Sequence, residues 1–169
     1  MPNAIKTYVR LVDAVNLKVG RFAMYLIFAM MGILLYSSIS KTFLQPSLWT
    51  LEMAQFTMVA YYLLGGSYSM QLGSHVRMDL LYGRWSDKKK AVADAVTVLF
   101  LISYLGVLLY GGFSSTQYAL RYGETSYSSW SPYMAPIKII MTLGIFLMLL
   151  QALATLFKDL AKIRGEDLS

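Results

Sequence analysis

The stretch FAMYLIFAMMGILLYSSIS, Phe22 to Ser40, decides how the rest of the chain is read. It holds 19 residues without Asp, Glu, Lys, Arg or His. At about 1.5 Å rise per residue, a helix of that length crosses a hydrocarbon core roughly 30 Å thick. Three more uncharged stretches follow, Met53–Ser74, Ala95–Leu120 and Ile139–Phe157. The sequence therefore predicts an all-α integral membrane protein with four transmembrane helices, over about 22–41, 51–74, 91–118 and 136–157. Residues 1–169 form a single membrane domain, with 1–21 as an amphipathic interfacial helix and 158–169 as a tail.

Lysine and arginine gather on alternate sides of these spans. Twelve lie in the first segment, the central loop and the tail: Lys6, Arg10, Lys18 and Arg21; Arg77, Arg84 and Lys88 to Lys90; Lys158, Lys162 and Arg164. Only Lys41, Arg121 and Lys138 lie on the other side. Over short loops this bias predicts that both termini and the central loop face the cytoplasm. The net charge of +6 then reads as topology plus attraction to anionic lipid, since no basic residues interleave with aromatics on a soluble face as nucleic acid requires.

Composition points the same way. The chain is 57% hydrophobic and 14% charged, with positive mean hydropathy, which does not suit a water-soluble domain. Cysteine is absent, which excludes disulfides and thiolate metal or iron–sulfur sites. About twenty mixed residues precede the first span, so that span is expected to be a retained signal anchor.

Two segments outside the spans have helical periodicity. Ile5, Tyr8, Val9, Val12, Val15 and Val19 recur at helical spacing, with Lys6, Arg10 and Asp13 on another face, as in a helix lying in the headgroup layer. Met78, Leu81, Tyr82 and Trp85 repeat the pattern after the second span and predict a short cytoplasmic arm helix. Ser86 followed by Asp87 is expected to cap the next helix.

Within the spans, Gly65, Ser69 and Gly73 lie four apart on one face, and Ala91, Ala95 and Ser103 mark another. Such rows let helix backbones approach closely in lipid, so both are expected to be helix contacts. Trp49, Trp85, Trp130 and Tyr133 fall near span ends, where an interfacial aromatic belt accounts for them. Glu52 opens the second span, where the helix dipole or a neighbour's basic group would favour it. His75, Arg77 and Asp79 make a polar turn that can hydrogen-bond the exposed carbonyls at the end of that span. Lys138, two residues after the helix-starting Pro136, is expected to snorkel outward.

No Asp, Glu, Lys, Arg or His falls near the middle of any span, whereas ion pathways and proton relays place ionisable groups there. One histidine, His75, cannot supply a bis-histidine haem. No nucleophile elbow, phosphate-cradling glycine loop, paired carboxylates or metal-ligand cluster is present, so no enzymatic activity and no cofactor are expected.

Several motifs resemble a known family. Trp49-Thr-Leu-Glu52, Gly65-Gly-Ser-Tyr-Ser-Met-Gln71, Gly73-Ser-His75-Val-Arg77-Met-Asp79-Leu-Leu, Pro136-Ile-Lys138 and Leu150-Gln151 are similar to the small membrane subunit, DctQ type, of tripartite ATP-independent periplasmic (TRAP) transporters. The resemblance covers nearly all of the chain from span one to span four. The His-Val-Arg-Met-Asp stretch is its most specific part, and the outer loop Arg121–Tyr133 follows no family pattern. It implies a bacterial inner-membrane complex in which a large elevator subunit binds Na⁺ and substrate. A periplasmic binding protein delivers the solute, typically an organic carboxylate. The small subunit would scaffold the large one, with Glu52, Gly65, Ser69, Gly73, His75, Arg77 and Asp79 as structural or partner contacts. Lys41, Gln45, Arg121, Tyr122, Glu124, Tyr127 and Trp130, a polar and aromatic set on the outer side, are expected to help dock the binding protein. Trp49, Trp85 and Lys138 remain interfacial anchors.

Two other classes stay open on the residues alone. A membrane-anchor subunit of a respiratory enzyme would share four spans but should offer haem histidines or quinone-binding polar groups. A small homodimeric exporter needs a mid-membrane carboxylate.

Overall fold

Each uncharged run falls on a helix, the second overrunning its helix end at Gln71, and the other three helices run well past the hydrophobic limits. The computed structural model describes residues 3–73 and 83–165. In chain order its helices are α1 (Asn3–Phe43), α2 (Thr50–Gln71), α3 (Asp87–Tyr122) and α4 (Ala135–Arg164). The only β pairing among the described residues is an isolated antiparallel bridge, Thr125 to Tyr133. The expected arm helix and the His75, Arg77 and Asp79 turn lie outside the described residues.

Three of the four helices, α1, α3 and α4, are long and apolar enough to cross a membrane. The second helix, α2, is not among them. Its 22 residues still give about 33 Å of helix at the usual rise, but Thr50, Glu52, Gln55, Thr57, Ser67, Ser69 and Gln71 dilute its apolar character.

Helix ends follow local chemistry. Gly123, φ +59°, closes α3 in the left-handed conformation that residues with a Cβ adopt at a cost, and its N–H bonds the Ala119 carbonyl. Gly73, φ +66°, follows the α2 cap Leu72 in the same left-handed conformation, its N–H bonded to the Met70 carbonyl at 3.1 Å. Helix α3 begins at Asp87 after Ser86, whose extended backbone (φ −68°, ψ 153°) has N-cap geometry, but the Ser86 side chain makes no capping hydrogen bond. Pro136 sits in the first turn of α4, where no intrahelical N–H partner is lost.

Helix α4 is the centre of the bundle: it touches α1, α2 and α3, while α1 also packs on α2. Its contact faces are small, with Gly144, Ala152, Ala154 and Ala161 all buried. A Cβ on Gly144 would stand 2.9 Å from Leu63 Cβ and 3.0 Å from its carbonyl carbon, so the α2 and α4 backbones meet there without a side chain between them. Met70, Leu105, Ile145 and Ala152 form one core across α2, α3 and α4. Ala23, Leu64 and Leu147 form a second across α1, α2 and α4.

Residues 3–21 correct one expectation. They are not a separate headgroup helix but the start of α1, which runs 41 residues without a break. Val9 and Val12 are buried against Ala154, with Ile5, Tyr8, Leu150 and Phe157 around them. At about 60 Å, α1 exceeds the roughly 40–45 Å of a whole bilayer. Its first turns therefore serve as packing surface for the end of α4. The apolar stripe was legible, and its buried part, Val9 and Val12, meets the end of α4.

Candidate functional site

Polar side chains collect at the two ends of the bundle. At the end that holds the start of α1 and the ends of α2 and α4, they form a clamp. Asn16 Nδ2 donates to Gln151 Oε1 at 2.6 Å. Gln151 Nε2 donates to Asp13 Oδ1 at 3.1 Å, and Lys158 Nζ to Asp13 Oδ2 at 2.7 Å. Gln71 Nε2 reaches the Asp13 carbonyl at 3.2 Å. One carboxylate and one backbone carbonyl thus tie α1 to both α2 and α4. Each amide is fixed in orientation, because only its NH₂ can serve these acceptors. Asp13, read from sequence as an outward polar residue, faces the protein instead.

Tyr8 reinforces the clamp. Its hydroxyl donates to the Leu150 carbonyl at 3.1 Å, and its ring meets Phe157 edge-on at 6.0 Å. Burial pushes the Tyr8 phenol above its usual value, so it stays protonated and able to donate.

At the opposite end, the α3–α4 loop is folded onto the bundle. Ser126 N donates to the Pro132 carbonyl at 2.9 Å and Met134 N to the Glu124 carbonyl at 2.9 Å, flanking the Thr125–Tyr133 bridge. Ser126 Oγ donates to Glu52 Oε1 at 3.1 Å, which fastens the loop to the first turn of α2. Glu52 is 8% exposed, and its Oε2 has no hydrogen-bond partner among the described residues. Its place in that first turn suits a negative group beside the helix N-terminus. Lys138 Nζ donates to Glu124 Oε2 in an ion pair. The expectation that Lys138 snorkels outward is therefore corrected: the Glu124 carboxylate, just past the end of α3, captures it. Hydroxyls complete this end, with Thr116 Oγ1 2.9 Å from Thr142 Oγ1 between α3 and α4. Thr50 Oγ1 donates to Ser37 Oγ at 3.1 Å between α2 and α1.

The remaining predicted residues divide clearly. Arg121, Tyr122, Tyr127, Trp130, Lys41 and Gln45 are exposed at the loop end, beside the paired Glu124. Trp49 stacks on Tyr36 with ring centroids 5.6 Å apart, and Trp85 lies exposed at the other end before α3. A Cβ on Gly65 meets nothing within 4 Å, so in this chain Gly65 and Ser69 line an open groove between α1 and α2 of about 410 Å³. The close approaches are made by neighbours that periodicity missed: Gly66 against Met148, Gly20 against Tyr68, and Gly112 against Thr142. Ala91 and Ala95 are buried while Ser103 is exposed.

Fold and composition define the class: an all-α membrane protein whose ionisable clusters sit at the helix ends. The family model for the DctQ component of tripartite ATP-independent periplasmic transporters matches residues 30–162. The chain belongs to that family. A comparison with curated proteins gave no match.

Proposed function

We propose that this small TRAP permease subunit is a static scaffold for a large Na⁺-coupled elevator subunit in the bacterial inner membrane. In this reading all four helices cross the membrane with both termini in the cytoplasm. The loop end, on the periplasmic side, helps seat a binding protein that delivers an organic carboxylate. One observation carries the reading: no Asp, Glu, Lys, Arg or His falls near the middle of any of the four expected spans. At each end of the bundle an ion pair ties elements of the chain together, Asp13 with Lys158 and Glu124 with Lys138. A scaffold needs such rigid ties, whereas coupling an ion gradient to solute movement needs ionisable groups at membrane depth. Na⁺ would then bind the large subunit. Membership of the DctQ family leaves the respiratory-anchor alternative without support.

Reconstitution tests the proposal. Vesicles with this chain alone should show no Na⁺-dependent uptake of an organic carboxylate, and adding the large subunit and the binding protein should restore it. Flux through this chain alone, or full uptake without it, overturns the scaffold role.

A further inference from the structure

The start of α3 carries a surface feature that the transport reading does not use. Trp85, Lys88, Lys89, Val92 and Ala93 line a cavity of about 530 Å³. Lys90 and Asp94 are engaged with partners of their own. Among the described residues Lys88 and Lys89 have no ion-pair partner, and the nearest negative group on their own turn is Asp87. Below the two ammonium groups an apolar track runs down the helix. Val92, Val96 and Leu99, spaced i, i+4, i+7, are each about half exposed (49%, 49% and 53%) and share one face. This face is uncovered because α3 packs almost entirely on α4.

We infer that this surface is a binding site for one anionic glycerophospholipid of the bilayer. The two lysines take the phosphodiester, the Trp85 ring lies at the level of the glycerol backbone, and an acyl chain follows Val92, Val96 and Leu99. Charge complementarity selects the head group. The apolar track selects an amphiphile over a soluble phosphate, because only a molecule with a long chain covers both parts of the surface. Trp at this depth and lysines at the helix end are the placements that an interface favours. The inference rests on α3 crossing the bilayer as proposed above, but not on transport, so the two readings fail separately.

Native mass spectrometry of the full chain in detergent, titrated with phosphatidylglycerol and phosphatidylcholine of matched acyl chains, tests it. Phosphatidylglycerol should bind more tightly. The variant K88Q/K89Q should lose affinity for it by about thirtyfold, taking about fivefold for each lysine near an anionic partner, with phosphatidylcholine binding unchanged. A control that removes the same charge from α1, K6Q/R10Q, should stay within about twofold of the parent on the same scale. Equal losses in both variants, or no loss in K88Q/K89Q, overturn the site in favour of general attraction. Displacement of the lipid by millimolar glycerol 3-phosphate overturns the lipid as occupant. A second readout needs no lysine change. With Trp49→Phe and Trp130→Phe leaving Trp85 as the fluorophore, brominated phosphatidylglycerol should quench more strongly than brominated phosphatidylcholine; equal quenching goes against the site.

Discussion

Asn16 of α1 and Gln151 of α4, 135 residues apart in sequence, meet at 2.6 Å with both side chains shut off from solvent. Gln151 passes the interaction on to Asp13, and Asp13 to Lys158. A buried carboxamide that loses its partner leaves a polar group in an apolar surround, so the pair is worth more intact than either residue suggests alone.

This pair gives the first prediction. Asn16→Ala and Gln151→Ala should each lower the stability of the purified chain in detergent, by about 1–3 kcal/mol. The double variant should lose less than the sum, with a coupling between about 0.6 kcal/mol, the average for hydrogen bonds between membrane helices, and the maximum of about 1.7 kcal/mol. Denaturant titration of the four proteins measures it. Strict additivity would mean that the 2.6 Å contact contributes nothing.

Glycine contacts give a second prediction. Gly144→Ala drives a methyl group into the Leu63 backbone at about 3 Å. Backbone cannot move aside cheaply, so this change should cost about 1–3 kcal/mol despite the better helix propensity of alanine. Gly65→Ala enters open space and should be neutral or stabilise by up to about 1 kcal/mol. Gly65→Leu then asks whether the groove beside Gly65 and Ser69 receives the large subunit. A folded chain that no longer co-purifies with it says yes; unchanged recovery assigns the groove to lipid.

These positions also mark the border of what sequence can tell. Four helices were legible because the absence of charge over 19 or more residues is a local property. The choice of neighbours was not. Gly65 and Gly66 are adjacent, yet one residue is a rotation of about 100°, and only Gly66 meets another helix. Asp13 looked like an outward polar residue because its partners, Gln151 and Lys158, are 138 and 145 residues away. Asn16, in step with Val9 and Val12 on the buried face, was the one local sign that this stripe met polar groups. Glu124 and Lys138 were each noticed, but their pairing depends on how the loop folds back.

Topology supplies a third prediction, on a chain naturally free of cysteine. Ser86 is exposed before α3, and Tyr127 is fully exposed on the opposite loop. On intact cells with the outer membrane permeabilised, a membrane-impermeant thiol reagent should label Tyr127→Cys and not Ser86→Cys, because the lysine and arginine bias puts Ser86 inside. Ser126 is a poor probe, since its hydroxyl is held by Glu52. Labelling confined to position 86 reverses the orientation.

The α3–α4 loop gives the fourth prediction. Exchanging the pair, Glu124→Lys with Lys138→Glu, should preserve stability better than either single change. The two side chains are only partly exposed, 32% and 15%, so a lone charge there is not fully repaid by water. Thermal unfolding of the three variants decides it. If the exchange is no better than the worse single variant, the ion pair is not what holds the loop.

Docking of the binding protein is tested best at Arg121, because it is exposed at the end of α3, whereas Glu124 already serves the loop. Arg121→Glu should raise the binding-protein concentration needed for half-maximal uptake and leave recovery of the membrane complex unchanged, since charges at the rim of an interface act mainly on encounter. The effect should shrink with added salt, as the Debye length falls from about 30 Å at 0.01 M to about 8 Å at 0.15 M. Replacing Tyr127 with Ala probes the apolar part of the same surface. Its ring is fully exposed, and an aromatic anchor lost from a protein contact costs binding without costing fold. If both variants show the parent's concentration dependence at low salt, the loop serves only to close this end of the bundle.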